Sequence, residues 1–100
     1  MRFLLNVLTE GKDGDCVEIY ADTNGLKLLR DSINTMLEHL DNGSVQEHEH
    51  YFIESWGGDG LSNAKAKFED KRKMNVAGSL KITVWNSKIV SQYFDNLRET

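Results

Sequence analysis

Proline is missing from this chain of 100 residues, and cysteine occurs only once, at Cys16. Without proline, no helix or strand is interrupted by a residue that lacks a backbone donor, and turns must rely on glycine, asparagine and aspartate. A single cysteine excludes an internal disulfide and favours a reducing compartment. We interpret Cys16 as a small, buried or half-buried side chain rather than a reactive thiol.

Long apolar runs are also missing. The N-terminus has one basic residue and then five apolar residues among the six from Phe3 to Leu8, which is too short for the core of a signal peptide. No segment approaches the ~18 apolar residues of a membrane span. The content of hydrophobic residues is 39% and that of charged residues is 28%, which is typical of globular proteins. The sequence therefore predicts one soluble, cytoplasmic domain over residues 1–100 that does not bind membranes.

Basic residues are missing between Arg30 and Lys65, an interval that contains seven acidic residues. An acidic surface repels phosphates, so nucleic acid is not expected as a partner, whereas a basic protein surface is. The alternative is that the acids only keep the protein soluble. The run from Lys65 to Lys73 has the opposite sign, and we interpret it as a solvated loop or helix face.

Residue periodicity predicts four strands. Residues 3–8 and 16–21 are joined by a short connector rich in glycine and aspartate, which indicates a hairpin. In the second strand, Val17 and Ile19 face one way and Glu18 and Tyr20 the other, as in a half-buried strand. The third and fourth strands are predicted over 48–56 and 79–85.

Two amphipathic helices are predicted, one after each pair of strands. The first follows capping residues at 22–25, and the second covers about 89–97. The first helix has an apolar stripe that should pack on the sheet. This stripe comprises Leu26, Leu29, Ile33, Met36, Leu37 and Leu40. Residues 61–78 fit either a loop or a short helix. The prediction is an α+β domain of order β-β-α-β-β-α, with a four-stranded, mainly antiparallel sheet and two helices on one face.

No motif predicts catalysis. Residues 57–60 resemble a phosphate loop only in their glycines, and no nucleophile elbow is present. His48 and His50 share a face of the predicted third strand with Glu54, and such a set could ligate a transition metal. Because Glu54 lies ~13 Å along the strand from His50 at ~3.3 Å per residue, we predict no metal site. We also predict no cofactor and no catalytic residue, since no motif for either is present. The alternative is a small metal-binding protein or metal-dependent hydrolase that uses these three side chains.

Several short segments together resemble a family of small bacterial immunity proteins from polymorphic toxin systems. The segments are 17–22, 24–29, 48–50, 54–61 and 80–86, and the most distinctive part is the H-x-H strand that leads to the Trp-Gly-Gly turn. The resemblance implies a cytoplasmic protein without enzymatic activity that binds a cognate toxin domain and blocks it. It carries over no catalytic residues.

The predicted partner-binding surface combines the acidic interval with an aromatic side chain near the end of a strand and the glycine-rich turn that follows. Strand alternation places Glu54 and Trp56 on one face and Glu49 on the other. The predicted partner is a cognate toxin with a basic surface. The predicted partner-binding residues are Glu47, Glu49, His50, Glu54, Trp56 and Asp59.

Overall fold

The architecture is α+β, with one long helix and six strands in the part of the chain that the structure describes. The structure is a computed structural model, and it describes residues 3–10, 16–58, 60–64 and 74–98. In chain order the elements are β1 (Leu5–Glu10), β2 (Cys16–Ala21), α1 (Thr23–Asp41), β3 (Gln46–Ile53), β4 (Gly60–Leu61), β5 (Met74–Val76) and β6 (Ser79–Trp85), with 3-10 turns at Glu54–Trp56 and Val90–Gln92.

The strands form two three-stranded sheets, one of order β2-β1-β5 and one of order β4-β3-β6. All neighbours are antiparallel except β3 and β4. The backbone N–H of Ser62 donates to the Leu5 carbonyl at 2.9 Å, which joins the end of β4 to β1. The segment between β5 and β6 joins the sheets again, because Ala77 donates to Val7 at 2.7 Å and Gly78 accepts from Ile53 at 3.0 Å.

The core lies where the two sheets meet. Leu5 and Val7 of β1, Tyr51 of β3 and Leu61 of β4 are buried there, and Leu29 of α1 packs against them. Leu8 and Asn6 are also buried, so β1 is covered on both faces. The Asn6 amide is satisfied, since it donates to the Ala64 carbonyl at 2.7 Å and accepts from the Ser62 hydroxyl.

The first helix was predicted correctly in position. Asp22 caps it by accepting from the Gly25 N–H at 2.8 Å, and the same oxygen accepts from the Leu4 N–H at 3.0 Å, which ties the helix to the start of β1. These two hydrogen bonds lower the pKa of Asp22. Gly25 is required at this contact, because a Cβ there would lie less than 2 Å from the Leu4 carbonyl oxygen.

The expectation that the whole apolar stripe of this helix packs on the sheet was wrong. Met36 is buried, and Leu29 packs against the core. Leu26, Ile33 and Leu37 remain 60%, 39% and 49% exposed. The helix therefore uses one edge of its apolar stripe for the core and leaves the other edge uncovered.

The predicted four-stranded sheet with two helices was also wrong. Residues 61–78 contribute strand residues to both sheets through β4 and β5, which the sequence did not indicate. The second helix is replaced by the turn Val90–Gln92, where the rings of Tyr93 and Phe94 pack against Trp85 at centroid distances of 4.7 and 5.4 Å. These ring contacts compete with a continuous helix for the same side chains.

In β2 the exposed and covered faces are the reverse of the apolar pattern. Val17 and Ile19 are exposed, whereas Glu18 and Tyr20 are half-buried. Cys16 is exposed as well, contrary to its interpretation as a covered side chain. The basic run at residues 65–73 lies outside the described residues. No helix in the described part of the chain combines the length and the apolar character that crossing a membrane requires.

Candidate functional site

The two faces of β3 differ in what covers them. Glu47 and Tyr51 point to the side of α1, since Glu47 contacts His39 of the helix and Tyr51 belongs to the core. Strand alternation then places His48, His50 and Phe52 on the opposite side. Their partners across β6 are Thr83, Lys81 and Ser79. We call this second side the open face, because both histidines, Ser79, Lys81 and Thr83 are exposed on it.

The predicted alternation of residues stops before Glu54. The strand ends at Ile53, and Glu54–Trp56 forms a 3-10 turn that Gly57 closes in the left-handed region, with φ of 75°. The shared face that alternation predicted for Glu54 and Trp56 therefore has no basis in the structure. Both side chains are exposed and belong to the same turn.

Trp56 is the most exposed large hydrophobic residue in the described part of the chain, at 65%. Its ring nevertheless has a fixed neighbour, because a Cβ built on Gly78 would lie 2.3 Å from the indole. The backbone of Ser55 also donates to the Asn63 side chain at 3.4 Å. The turn thus presents an aromatic ring at the junction of the two sheets. We call the surface formed by Glu54, Trp56 and Gly78 the Trp56 surface.

The carboxylate of Glu47 is held by contacts within the protein. It accepts from the Ser44 hydroxyl at 2.7 Å and contacts Nδ1 of His39 at 2.6 Å. The Ser44 hydrogen bond, and after it the His39 contact, lower the pKa of Glu47. The side chain is 25% exposed, so Glu47 links the end of α1 to β3 and offers a partner little surface.

Glu49 lies on the helix side of β3, next to a cleft of about 490 Å³ between α1 and the sheet. Leu28 and Ser32 of α1 line it together with Phe3. His50 contacts Phe52 on the open face, with ring centroids 5.0 Å apart. Glu47 and Glu49 thus point away from the open face, and neither belongs to the Trp56 surface. Asp59 lies outside the described residues.

The set proposed for a metal is not assembled. His48 and His50 share the open face, but Glu54 follows the end of the strand in the turn. Within the described residues, no three His, Cys, Asp or Glu side chains come together as a metal would require. Sequence reasoning missed two features, namely the cluster of Trp85 with Tyr93 and Phe94, and the support of Trp56 by Gly78. The aromatic pair gave a signal, but its spacing also fitted a helix.

Comparison of the chain with protein-family models, with curated proteins and with solved structures gave no match.

Proposed function

We propose that this chain is a binding protein without enzymatic activity that neutralises a bacterial toxin domain, and that the Trp56 surface is the centre of its interface. The observation that carries the proposal is a tryptophan 65% exposed whose ring rests against a backbone glycine. Tryptophan, with tyrosine and arginine, is enriched at the interface positions that dominate binding energy. A ring that already packs against the backbone on one side loses less conformational entropy when a partner covers it than a fully free side chain does.

Charge supports a basic partner. Glu54 is exposed in the same turn as Trp56, and the whole chain has a formal charge of −4. Acidic side chains around an aromatic centre attract a basic surface and accelerate encounter. The open face is less suited to this role, because Lys81 lies directly across from His50.

The family resemblance names the kind of partner. Immunity proteins block a cognate toxin, and the genes of such pairs are neighbours. The proposed partner is accordingly the product of the adjacent gene. Of the predicted partner-binding residues, Glu54 and Trp56 remain central, His50 belongs to the open face, and Glu47 and Glu49 become peripheral.

The test is co-expression of this chain with the adjacent gene product, followed by copurification and a toxicity-rescue assay. We expect a stable complex and restored growth. Trp56→Ala should abolish rescue while the protein stays folded. The matched control is Tyr93→Ala, which removes another exposed aromatic ring, 59% exposed, in the C-terminal segment. Normal rescue by Trp56→Ala together with loss of rescue by Tyr93→Ala would transfer the interface to the C-terminal aromatic cluster. The absence of any complex would contradict the proposed function itself.

A further inference from the structure

The outer edge of β2 carries backbone groups that point away from its sheet. On β1, the carbonyls of Leu5 and Val7 accept hydrogen bonds from Ser62 and Ala77, so the odd-numbered residues of β1 face β4 and β5. The even-numbered residues face β2, as the bond from Asp22 N–H to the Leu4 carbonyl at 3.1 Å confirms. Since Val7 pairs with Ile19 in the register, the N–H and C=O groups of Val17, Ile19 and Ala21 point outward.

The side chains at this edge are apolar and exposed. Val17 is 61% exposed and Ile19 is 50% exposed. Both lie on the side of the sheet that α1 covers, because Ile19 is opposite Val7, which belongs to the core cluster that Leu29 packs against. An edge strand with outward donors and apolar side chains is a template for pairing with another strand. The usual protection of such an edge by lysine or proline is missing from residues 16–21.

The uncovered side of α1 continues this apolar surface. One flank of the helix faces β3, where Leu28 and Ser32 line the cleft and His39 contacts Glu47. At 3.6 residues per turn, the exposed apolar residues lie on the opposite flank, which faces β2 on the other side of β1. We call this surface the β2 edge patch, and it comprises Val17, Ile19, Leu26, Ile33 and Leu37.

We infer that the β2 edge patch binds a second copy of this chain, with two β2 strands paired antiparallel across a two-fold axis. A two-fold pairing satisfies the outward backbone groups of both copies. Each outward N–H of β2 in one copy meets a carbonyl of β2 in the other copy. The flank of α1 likewise meets its own counterpart. The five side chains that define the patch are uncharged, and the exposed Arg30 beside them on α1 is paired with Asp31 at 2.9 Å. Two acidic copies can therefore approach there without an excess of negative charge at the contact.

The register follows from the charge on β2. A two-fold axis at Glu18 would place two glutamates directly opposite each other, which is unfavourable. An axis at Ile19 instead pairs Ile19 with itself, Val17 with Ala21 and Glu18 with Tyr20. The proposed dimer is therefore centred on Ile19, and it leaves the Trp56 surface free. The inference does not depend on the proposed function.

The first test is the mass of the purified chain by sedimentation equilibrium from low micromolar to submillimolar concentration. We expect a concentration-dependent dimer for the natural sequence and a monomer for Ile19→Lys, with unchanged circular dichroism. The matched control, Glu38→Lys on the outer face of α1, should still dimerise. A monomer at every concentration, or a dimer that Ile19→Lys does not weaken, would overturn the inference.

The second test is disulfide formation in a Cys16→Ser background. Ile19→Cys should give a linked dimer under mild oxidation, because directly opposite residues of paired strands are within reach of a disulfide. Val17→Cys is also exposed but faces Ala21 of the other copy, so the two copies should not become linked. Linking at position 17 and not at position 19 would show that the register is wrong. Protection of the β2 amides by the adjacent gene product, in a chain that is monomeric alone, would assign the patch to that partner instead.

Discussion

The indole of Trp56 lies so close to Gly78 that a Cβ on this glycine would be 2.3 Å from the ring. Gly78→Ala should therefore displace the indole ring of Trp56 while leaving the tryptophan side chain itself unchanged. We expect a shift in tryptophan fluorescence and weaker binding to the adjacent gene product, by an amount that approaches the effect of Trp56→Ala, about 2 kcal/mol for a central tryptophan. The measurement is equilibrium affinity beside the emission spectrum. Ser79→Ala, one residue further along on an exposed position, is the control and should change neither.

Glu54 is expected to act on the rate of association. Glu54→Lys should lower the association rate with a basic partner on the order of threefold to tenfold at low salt, because it replaces an attractive charge next to Trp56 by a repulsive one. The difference should shrink as salt rises. Surface plasmon resonance at several ionic strengths measures both effects. Glu38→Lys makes the same charge change on the outer face of α1, and an equal effect there would mean that only net charge matters.

Met36 and Ile33 should differ in their contribution to stability, although both belong to the predicted stripe of α1. Met36 is 3% exposed and Ile33 is 39% exposed. Met36→Ala should lower the free energy of unfolding by about 2–5 kcal/mol, whereas Ile33→Ala should cost about 1 kcal/mol or less. Denaturant melts in the Ile19→Lys background separate this effect from any contribution of a dimer. Equal losses would show that the helix is rotated relative to the structure.

The stability contributed by Glu47 should depend on pH. Its pKa in the folded protein is lowered from the ordinary value of 4.5 by the hydrogen bond from Ser44 and the contact with His39. A carboxyl whose pKa falls on folding stabilises the protein above its unfolded pKa, and this contribution is lost as pH falls through the folded pKa. Glu47→Gln should therefore be less stable than the natural sequence at neutral pH, and the difference should diminish below pH 4.5.

Urea melts between neutral pH and the acid range measure this difference. Glu38→Gln, which removes an exposed carboxylate from α1, is the control for the loss of one negative charge. A loss of stability by Glu47→Gln that stays constant through the acid range would contradict the role assigned to the carboxylate.

The Tyr51 hydroxyl is buried and has no hydrogen-bond partner among the described residues. Because a buried unsatisfied group costs about 1–3 kcal/mol, Tyr51→Phe should leave the free energy of unfolding unchanged or raise it by about 1 kcal/mol. Tyr93→Phe, at an exposed ring, should stay within about 0.5 kcal/mol of the natural sequence. Marked destabilisation by Tyr51→Phe would show that the hydroxyl has a partner.

The first half of the fold could be predicted because its signals are local. The hairpin of β1 and β2, the Asp22 cap and the period of α1 all depend on residues close in sequence. The helical spacing of apolar residues identifies a helix, but it does not show which edge of the apolar stripe another element covers. The exposure of Leu26 could therefore not be predicted. The strands β4 and β5 are two and three residues long, and they exist because β1 and β3 offer unpaired edges. No local pattern encodes such edges.

The candidate site was predictable only in part. The sequence places Trp56 near a strand end and before two glycines, which predicts an exposed ring, and the ring is exposed in the structure. The acidic residues around it were chosen by their position in the sequence, and Glu47 illustrates the limit of that choice. Its carboxylate is occupied by Ser44 and His39, which are close in space because the end of α1 returns to the start of β3.

The pairing of β1 with both β2 and β5 has a consequence for the order of folding. The hairpin and α1 can form early, because their contacts are local. The other edge of β1 receives its partners only when Ser62 and Val76 arrive, and pairing across such sequence distances is slow. Until then the apolar segment from Leu5 to Leu8 presents a bare edge on a growing or newly released chain. Aggregation during synthesis should therefore begin at β1, before β5 has paired with it.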